Sequence, residues 1–180
     1  MDKRTPPLTV GRPEPKRPVK ADAPYPPLTV EGPNRQYARM LTMDLASDKS
    51  EMTAITQYLY QGWELKKEYA EISDTLMRIA QVEMHHLDML GQLIVLLGGD
   101  PRFLAPRNNR LMPWNGNMVF YSRMVKPMLE NSLQKELSAA EGYLRQAQLI
   151  HDENLSLILK RIAMDEELHV KILQHYCNSL

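Results

Sequence analysis

The chain has 180 residues, with 22 lysines and arginines against 22 aspartates and glutamates, so its formal net charge is zero. This length suits one domain with a sizeable core, and 43% hydrophobic with 24% charged residues is typical of a folded soluble protein. Zero net charge argues against nucleic acid or an anionic membrane as a partner. The single cysteine, Cys177, excludes an internal disulfide and an all-thiolate metal site. Because the sequence shows neither a signal-peptide pattern nor a membrane-length apolar run, we expect a cytoplasmic protein.

Proline sets residues 1–33 apart as an N-terminal arm, since nine of the 13 prolines lie there. Proline fixes φ and has no amide donor, so the arm is predicted to be extended and free of helix. It contains a near-repeat, Pro-Pro-Leu-Thr-Val at residues 6–10 and again at 26–30. Two interpretations are open: a poorly ordered tail up to about residue 20, or a strap across the bundle or a neighbouring subunit, anchored by Leu28 and Val30.

The hydrophobic period becomes helical in the second predicted unit, residues 34–180, and prolines become rare there. Gly98-Gly99-Asp100-Pro101 should terminate the second helix, and Pro127 either kinks the third or marks its start. No segment has the pattern of a strand. We predict four main helices, at about residues 34–67 with a candidate break near Ser47-Asp48, 70–97, 121–150 and 154–176.

The lengths of the connections predict the topology. The first and second helices, and the third and fourth, are joined by only a few residues, which makes each pair an antiparallel hairpin. The middle link, about residues 98–120, is long enough to cross the whole bundle. Two hairpins joined by one long crossover form the ferritin-like arrangement, so the predicted fold is an all-α, ferritin-like four-helix bundle.

Ionisable side chains interrupt the apolar stripes of these helices. A core-facing stripe advances in alternating steps of three and four residues, and following it along each helix meets acids and histidines where a bundle normally has leucine. Six residues share this property: Glu51, Glu83, His86, Glu136, Glu166 and His169.

The two halves of the chain repeat one pattern. Glu51 is followed seven residues later by Tyr58, and 32 residues later by the Glu-x-x-His of residues 83–86. In the same way, Glu136 is followed seven residues later by Tyr143. The second Glu-x-x-His, residues 166–169, begins 30 residues after Glu136. The pattern indicates an internal duplication of a helical hairpin.

Physical chemistry predicts a metal site at these residues. Four carboxylates facing one another in a core would repel, and their stripes carry no lysine or arginine. Two divalent cations would supply the missing positive charge, and the spacing of Glu-x-x-His places both side chains on one helix face. Carboxylate and imidazole ligands without thiolate suit Fe or Mn better than Zn. We therefore expect two Fe or two Mn ions, with Tyr58 and Tyr143 supplying hydroxyls that orient the carboxylates.

Each ionisable residue also has an ordinary structural interpretation. Glu51 could be the acid of a capping box opened by Asp48, a lone histidine is usually a satisfied core residue, and Glu136 could pair with Lys135. These interpretations would have to hold six times at matched spacings, which favours the metal site. The neighbouring polar residues that fall off the stripes are predicted either to face solvent or to support the ligands from outside: His85, Asp88, Glu141 and Glu167.

Several motifs resemble a known group of metalloproteins. Tyr25-Pro26, Gly32-Pro33-Asn34 and residues 83–91 are similar to the spore-coat type of manganese catalase, whereas residues 165–169 are more similar to rubrerythrin. Over about residues 25–180 the chain resembles the ferritin-like di-metal carboxylate superfamily, in its rubrerythrin and manganese-catalase branch. The chain lacks the cysteine-ligated iron module of full-length rubrerythrins, so the resemblance implies no built-in iron–sulfur centre for electron delivery.

The resemblance implies roles for the individual residues. One half of a bridged dinuclear centre would use Glu51, Glu83 and His86, and the other half would use the equivalent residues of the second hairpin. The bridges would be Glu83 and Glu136. The resemblance also implies that Glu166 is an acid–base group and not a firm ligand.

The expected function is redox chemistry on hydrogen peroxide or dioxygen, carried out by an oxidoreductase that is a dimer or hexamer of identical chains. Two alternatives remain open at this point. The centre could oxidise Fe(II) for storage, or the chain could be a non-catalytic, coat-like protein that uses metal for stability.

Overall fold

The computed structural model describes residues 16–107 and 110–180, which form five α-helices and one two-stranded sheet. Helices α2 and α3 pack as one antiparallel hairpin and α4 and α5 as the other, and a long crossover joins the two. The predicted all-α bundle of two hairpins is therefore confirmed. The helices are α1 Arg35–Ala46, α2 Glu51–Leu65, α3 Ala70–Leu96, α4 Val125–Leu149 and α5 Glu153–Ser179.

The break in the first predicted helix is real and separates α1 from α2. The carbonyl of Ser47 accepts hydrogen bonds from the hydroxyls of Ser50 (2.6 Å) and Thr53 (2.7 Å). Ser50 in turn caps α2 by accepting the backbone N–H of Thr53. Glu51 is thus the first residue of α2 and not the third. This position excludes a capping box opened by Asp48 as the reason for the glutamate.

The other helix ends follow local signals. Gly98 takes a positive φ of 76°, a conformation that favours glycine, and the N–H of Gly99 bonds the carbonyl of Ile94 at 2.8 Å as α3 ends. Pro127 lies in the first turn of α4, so it marks the start of that helix and does not kink it. Asp152 caps α5 by accepting the N–H of Leu155 at 3.0 Å.

The crossover contains a hairpin that the sequence did not predict. Strand β1, Leu104–Arg107, pairs antiparallel with β2, Arg110–Pro113. The expectation of no strand was therefore wrong. Each strand has only four residues, contains a proline and lacks the alternation of a half-buried strand. The next residue, Trp114, donates its indole N–H to the hydroxyl of Thr53 at 2.9 Å, which fastens the crossover to α2.

The described part of the N-terminal arm, residues 16–33, is here called the strap. It contains no helix and lies along α3 and α5, with Leu28 and Val30 packed against the core. The first copy of the near-repeat, residues 6–10, lies outside the described residues. The division of the chain into an arm and a bundle at residue 33 stays a prediction.

The core has two apolar clusters, one toward each end of the bundle. Leu41, Leu90 and Ile158 belong to the first cluster, whereas Leu76 and Leu129 belong to the second. All five side chains have no exposed surface. The six ionisable side chains lie between the clusters along the helices. Among the described residues, no helix is both long and apolar enough to cross a membrane.

Candidate metal centre

All six ionisable side chains singled out by the sequence are buried at the middle of the bundle. None exposes more than 5% of its surface, and both histidines are fully enclosed. Each hairpin contributes one glutamate from its first helix and a Glu-x-x-His from its second. The stripe positions therefore converge in space, with Glu51 on α2, Glu83 and His86 on α3, Glu136 on α4, and Glu166 and His169 on α5.

The ligand-type atoms of these residues form two adjoining groups of four. Within each group, one donor atom from every residue lies within 4.8 Å of the others. The two groups have Glu83 and Glu166 in common, here called the shared glutamates. Glu51 and Glu136, here called the outer glutamates, each belong to one group only. The first group is Glu51, Glu83, His86 and Glu166, and the second is Glu83, Glu136, Glu166 and His169.

This grouping differs from one assignment implied by the family resemblance. Glu136 was expected to be a bridge together with Glu83, but Glu166 belongs to both groups and Glu136 does not. The internal duplication gives the reason. Glu83 and Glu166 are equivalent, because each precedes a histidine by three residues on the second helix of its hairpin. Glu51 and Glu136 are equivalent residues on the first helices, so they lie on opposite sides of the centre.

Both histidines turn the same ring nitrogen toward the carboxylates. Nδ1 of His86 lies 2.9 Å from Oε2 of Glu83 and 3.1 Å from Oε1 of Glu166. Nδ1 of His169 lies 2.9 Å from Oε1 of Glu83 and 3.5 Å from Oε2 of Glu166. Each imidazole therefore faces both shared glutamates with Nδ1, and its Nε2 points away from the centre.

Unpartnered polar atoms show that a metal ion fits the centre. Oε1 of Glu83, Oε1 of Glu166 and Nδ1 of His169 are buried, and none has a hydrogen-bond partner in the described part of the chain. The short approach between Nδ1 of His169 and Oε1 of Glu83 lacks hydrogen-bond geometry, so both atoms face a common space. Leaving such atoms unpaired in a core is costly, and a cation between them would partner all three. Oxygen and imidazole donors suit Fe or Mn.

The two tyrosines predicted to orient carboxylates lie across the centre from the glutamates they contact. Tyr58 on α2 donates its hydroxyl to Glu136 on α4, and Tyr143 on α4 donates to Glu51 on α2. Burial, together with the neighbouring glutamate charges, raises the pKa of both tyrosines well above its usual range. The hydroxyls therefore stay protonated and donate to the outer glutamates.

The shifted pKa values show how the centre balances its charge without metal. Burial and the charges of the shared glutamates raise the pKa of Glu51 well above its usual value, and burial and the charge of Glu166 raise the pKa of Glu136 to about 7. Burial opposes ionisation of the shared glutamates as well, but neighbouring groups lower the pKa of both. For Glu83 these are the two histidines, and for Glu166 they are hydrogen bonds with Glu136 and the two histidines.

The histidines show the opposite shift. Burial alone would lower the pKa of His86 and His169, but their carboxylate contacts outweigh it and raise both values well above the usual range. Protons on the outer glutamates and on the two imidazoles thus neutralise a group of acids that metal cations could neutralise instead.

Three further polar residues around the centre were not identified from the sequence. Asp165, fully buried, accepts the Nε2–H of His86 at 3.0 Å and the hydroxyl of Tyr25 at 2.5 Å. Arg161 forms an ion pair with Asp165 at 2.9 Å. Although burial favours the neutral acid, these partners hold the pKa of Asp165 well below its usual range. The off-stripe residues His85, Asp88, Glu141 and Glu167 are exposed, which agrees with the first of the two interpretations that the sequence leaves open.

A cavity of about 270 Å³ connects the centre with the protein surface. It opens beside the break between α1 and α2, where Lys49 is exposed, and it extends inward to Glu51, Glu136 and Glu166. Gly142 of α4 forms part of its wall. A larger groove of about 570 Å³ lies between α1 and the crossover hairpin, away from these carboxylates.

The first hairpin is similar to a known protein family. The family described as manganese containing catalase matches residues 25–109, just under half of the chain. The matched stretch includes Glu51, Glu83 and His86, which are the candidate ligands of the first hairpin. No curated protein matches the sequence.

Solved structures resemble the whole bundle. A manganese catalase from Anabaena matches with a TM-score of 0.77 and 22% identity, covering 88% of this chain and 78% of its own. A Rhodobacter capsulatus bacterioferritin with a metal-free dinuclear site and heme iron matches with a TM-score of 0.65 and 22% identity, covering 82% and 87%. A dodecameric thioferritin, the bacterioferritin-related protein from Bacteroides fragilis, matches with a TM-score of 0.65 and 19% identity, covering 81% and 86%.

At these identities the structural matches establish the fold alone. The family match adds a sequence similarity that is confined to residues 25–109, which include the first hairpin. The chain therefore has a ferritin-like helical bundle, and its first half is similar to the manganese containing catalases.

Proposed function

We propose that the chain is a dinuclear metalloprotein that holds two Mn or two Fe ions and acts on hydrogen peroxide or dioxygen. The observation that carries this proposal is the pair of four-donor groups that share Glu83 and Glu166. Four carboxylates balance two divalent cations, and the family match and the structural neighbours support the same conclusion.

Each ion would have its own histidine and its own outer glutamate. His86 and Glu51 would hold one ion, and His169 and Glu136 would hold the other, with the shared glutamates between the two ions. When bound, the metals supply Lewis acidity and the one-electron redox changes that peroxide or dioxygen chemistry requires. The remaining roles belong to the side chains around them.

The surrounding residues would orient the ligands and control access. The hydroxyls of Tyr58 and Tyr143 hold the outer glutamates in place, and the two apolar clusters keep bulk water away from the centre. The cavity of about 270 Å³ has room for small molecules such as hydrogen peroxide or dioxygen. We assign proton handling to Glu166 because it is the shared glutamate that lines the cavity, and its Oε1 lacks a hydrogen-bond partner in the described structure.

Metal content and oxygen evolution test the proposal directly. The chain should be produced with Fe and Mn both available, its metals quantified, and oxygen release from hydrogen peroxide measured. We expect two ions per chain and peroxide turnover. Zinc in a single site, or no bound metal, would contradict the dinuclear centre. Rapid Fe(II) oxidation without peroxide turnover would favour iron handling, and metal without either activity would favour a structural role.

Neighbouring residues of the same type provide matched controls. Glu166→Gln should remove peroxide turnover and lower metal occupancy, whereas Glu167→Gln changes an exposed neighbour and should do neither. His86→Ala should likewise empty the centre. His85→Ala is its control, because His85 is exposed and its loss should leave the metal content unchanged. Equal metal content in the members of either pair would show that the buried residues are not ligands.

We also propose that the chain assembles with copies of itself. Val95 and Leu96 on α3 expose 58% and 45% of their surface, and Phe103 of the crossover exposes 48% beside them. Such an apolar surface is typical of an interface. A dimer or hexamer in solution is the expected size. A monomer would contradict the proposal, and a large hollow shell would favour iron storage.

A further inference from the structure

The outer nitrogens of both candidate histidine ligands are held through the N-terminal strap. The strap precedes the helical bundle in sequence and is absent from the six-residue ligand pattern. A ligand histidine commonly donates its second ring N–H to a carboxylate or a carbonyl, which fixes the orientation of the ring. Here that partner comes from the strap in one case, and from a residue fastened to the strap in the other.

At His169 the partner is the strap backbone itself. Nε2 of the ring lies 2.9 Å from the carbonyl oxygen of Val19. A carbonyl oxygen can only accept a hydrogen bond, so Nε2 must carry the proton. When the ring is neutral, Nδ1 is therefore the free acceptor, and it faces the shared glutamates.

At His86 the partner is Asp165, and the strap holds that carboxylate in position. Nε2 of His86 lies 3.0 Å from Oδ2 of Asp165. The backbone N–H of Ala21 donates to the other carboxylate oxygen at 2.7 Å, and the hydroxyl of Tyr25 donates to Oδ2 at 2.5 Å. Asp165 is fully buried, so few orientations remain open to it.

Arg161 fastens the strap next to both histidines. Its Nε donates to the carbonyl of Ala23 at 2.6 Å, and its Nη2 donates to the carbonyl of Ala21 at 2.8 Å. The guanidinium also lies 4.1 Å from the ring centre of Tyr25 and forms the ion pair with Asp165. Only 3% of this arginine is exposed, and such a buried charge requires partners of this kind.

We propose that the strap is part of the metal centre, because it fixes the proton and the ring orientation of both ligand histidines. Docking of the strap and binding of metal are therefore coupled. Tyr25, Arg161 and Asp165 are positioning residues that act through His86, whereas the Val19 carbonyl acts on His169. This inference rests on the proposed dinuclear function.

The asymmetry between the two histidines makes the proposal testable. Asp165→Asn in the full chain removes the charge that holds His86 and leaves the Val19 carbonyl in place. Stepwise Mn(II) binding, measured by competition with a chelator, should show one site weakened about 10- to 100-fold and the other changed much less. Tyr25→Phe should weaken the same site by about tenfold. Unchanged affinity at both sites in both variants would overturn the proposal.

Tyr37→Phe is the matched control for Tyr25→Phe. Tyr37 is also partly buried against the core, but its hydroxyl accepts a hydrogen bond from the backbone N–H of His151 at 3.1 Å, away from the centre. Its loss should leave both Mn(II) affinities unchanged. If Tyr37→Phe weakened metal binding as much as Tyr25→Phe, the effect would be a general loss of packing and the positioning role would be rejected.

A measurement without metal separates failure of this inference from failure of the proposed function. In the metal-free, ¹⁵N-labelled chain, the Nε2–H protons of His86 and His169 should exchange slowly with solvent. Asp165→Asn should accelerate exchange at His86 and spare His169. If the wild-type chain bound no metal, the proposed function would fail while this exchange test still decided whether the strap holds the rings. Fast exchange at both rings in the wild type would overturn the inference.

Discussion

Asp44 is a half-buried acid whose Oδ2 is enclosed and poorly satisfied, on the wall of the cavity that leads to the centre. Gln146 donates its amide to Oδ1 of Asp44 at 2.9 Å. Oδ2 of Asp44 and Oε1 of Gln146 have no hydrogen-bond partner among the described residues. Burial outweighs the Gln146 hydrogen bond and raises the pKa of Asp44 to about 7.

This environment predicts that Asp44→Asn stabilises the fold in a pH-dependent way. In the unfolded chain the acid ionises near pH 4, but in the folded chain only near pH 7. The folded wild type therefore loses stability as pH rises through that window. Asparagine removes the penalty, and its amide can donate to Oε1 of Gln146. We expect a gain in the free energy of unfolding of about 1 to 4 kcal/mol at pH 8, and a smaller gain at pH 4.

Urea denaturation at both pH values measures this effect. The control is Asp48→Asn, which changes an exposed carboxyl four residues further along the chain. Its stability should match that of the wild type within about 0.5 kcal/mol at both pH values. A gain from Asp44→Asn that was equal at pH 4 and pH 8 would show that ionisation of Asp44 is not its cause.

The sequence predicts the six central residues but not the groups around them, and the reason is geometric. Each central residue replaces an apolar side chain on a helical stripe, so the periodicity alone reveals it. Asp165 lies one position off the α5 stripe, and its partners Tyr25 and Ala21 come from a segment without any period. Proline content predicts that the strap is extended, but it does not specify which helices the strap contacts.

At the level of elements, the break between α1 and α2 shapes the access to the centre. If α1 continued into α2 without a break, helical side chains would cover Glu51. The turn at Ser47–Ser50 instead leaves the cavity open between α2 and α4. Helix lengths and connections predict the bundle and this break. They do not predict the β1–β2 hairpin, because its strands pair with each other in the crossover and β2 is exposed along its whole length.

Gly142 allows a test of the cavity as the route to the centre. It lies inside α4 on the cavity wall, and no atom of the described structure lies within 4 Å of where its Cβ would be. Gly142→Leu should therefore place its Cβ without a clash and gain about 0.5–1 kcal/mol in helix propensity. Its side chain would fill the cavity, so we expect Mn(II) loading of the metal-free chain and peroxide turnover to slow at least severalfold.

Gly91 is the control for this substitution. It lies inside α3, also with no described atom within 4 Å of a built Cβ, but it lines a different groove. Gly91→Leu should match the gain in stability and leave loading and turnover unchanged. Equal loading rates in the wild type and Gly142→Leu would mean that metal and substrate reach the centre by another path.

At the level of the whole molecule, the even charge count conceals an uneven distribution. Four of the 22 acidic residues are the buried glutamates of the centre, which leaves 18 acids against 22 basic residues elsewhere. These four acids separate the two apolar clusters, at positions where a bundle without metal would place leucine. The centre therefore weakens the metal-free fold and strengthens the metal-bound fold.

Metal should consequently raise thermal stability, and Glu136→Gln should reduce the size of that rise. Free Mn(II) at 100 times its dissociation constant stabilises a fold by about 2.7 kcal/mol, which corresponds to roughly 5–10 °C in Tm for a chain of this size. Without metal, the pKa of about 7 means that Glu136 destabilises the folded chain when it ionises. Glutamine removes that charge and can still accept the Tyr58 hydroxyl.

Metal-free Glu136→Gln should therefore be at least as stable as the metal-free wild type at pH 8. Saturating Mn(II) should raise the Tm of the variant by less than it raises the Tm of the wild type. Thermal melts of both proteins in EDTA and in a series of Mn(II) concentrations measure the two states separately. A variant less stable than the wild type in EDTA would mean that the glutamate stabilises the core without metal. The bundle would then be an ordinary polar core, and the charge argument for two cations would fail.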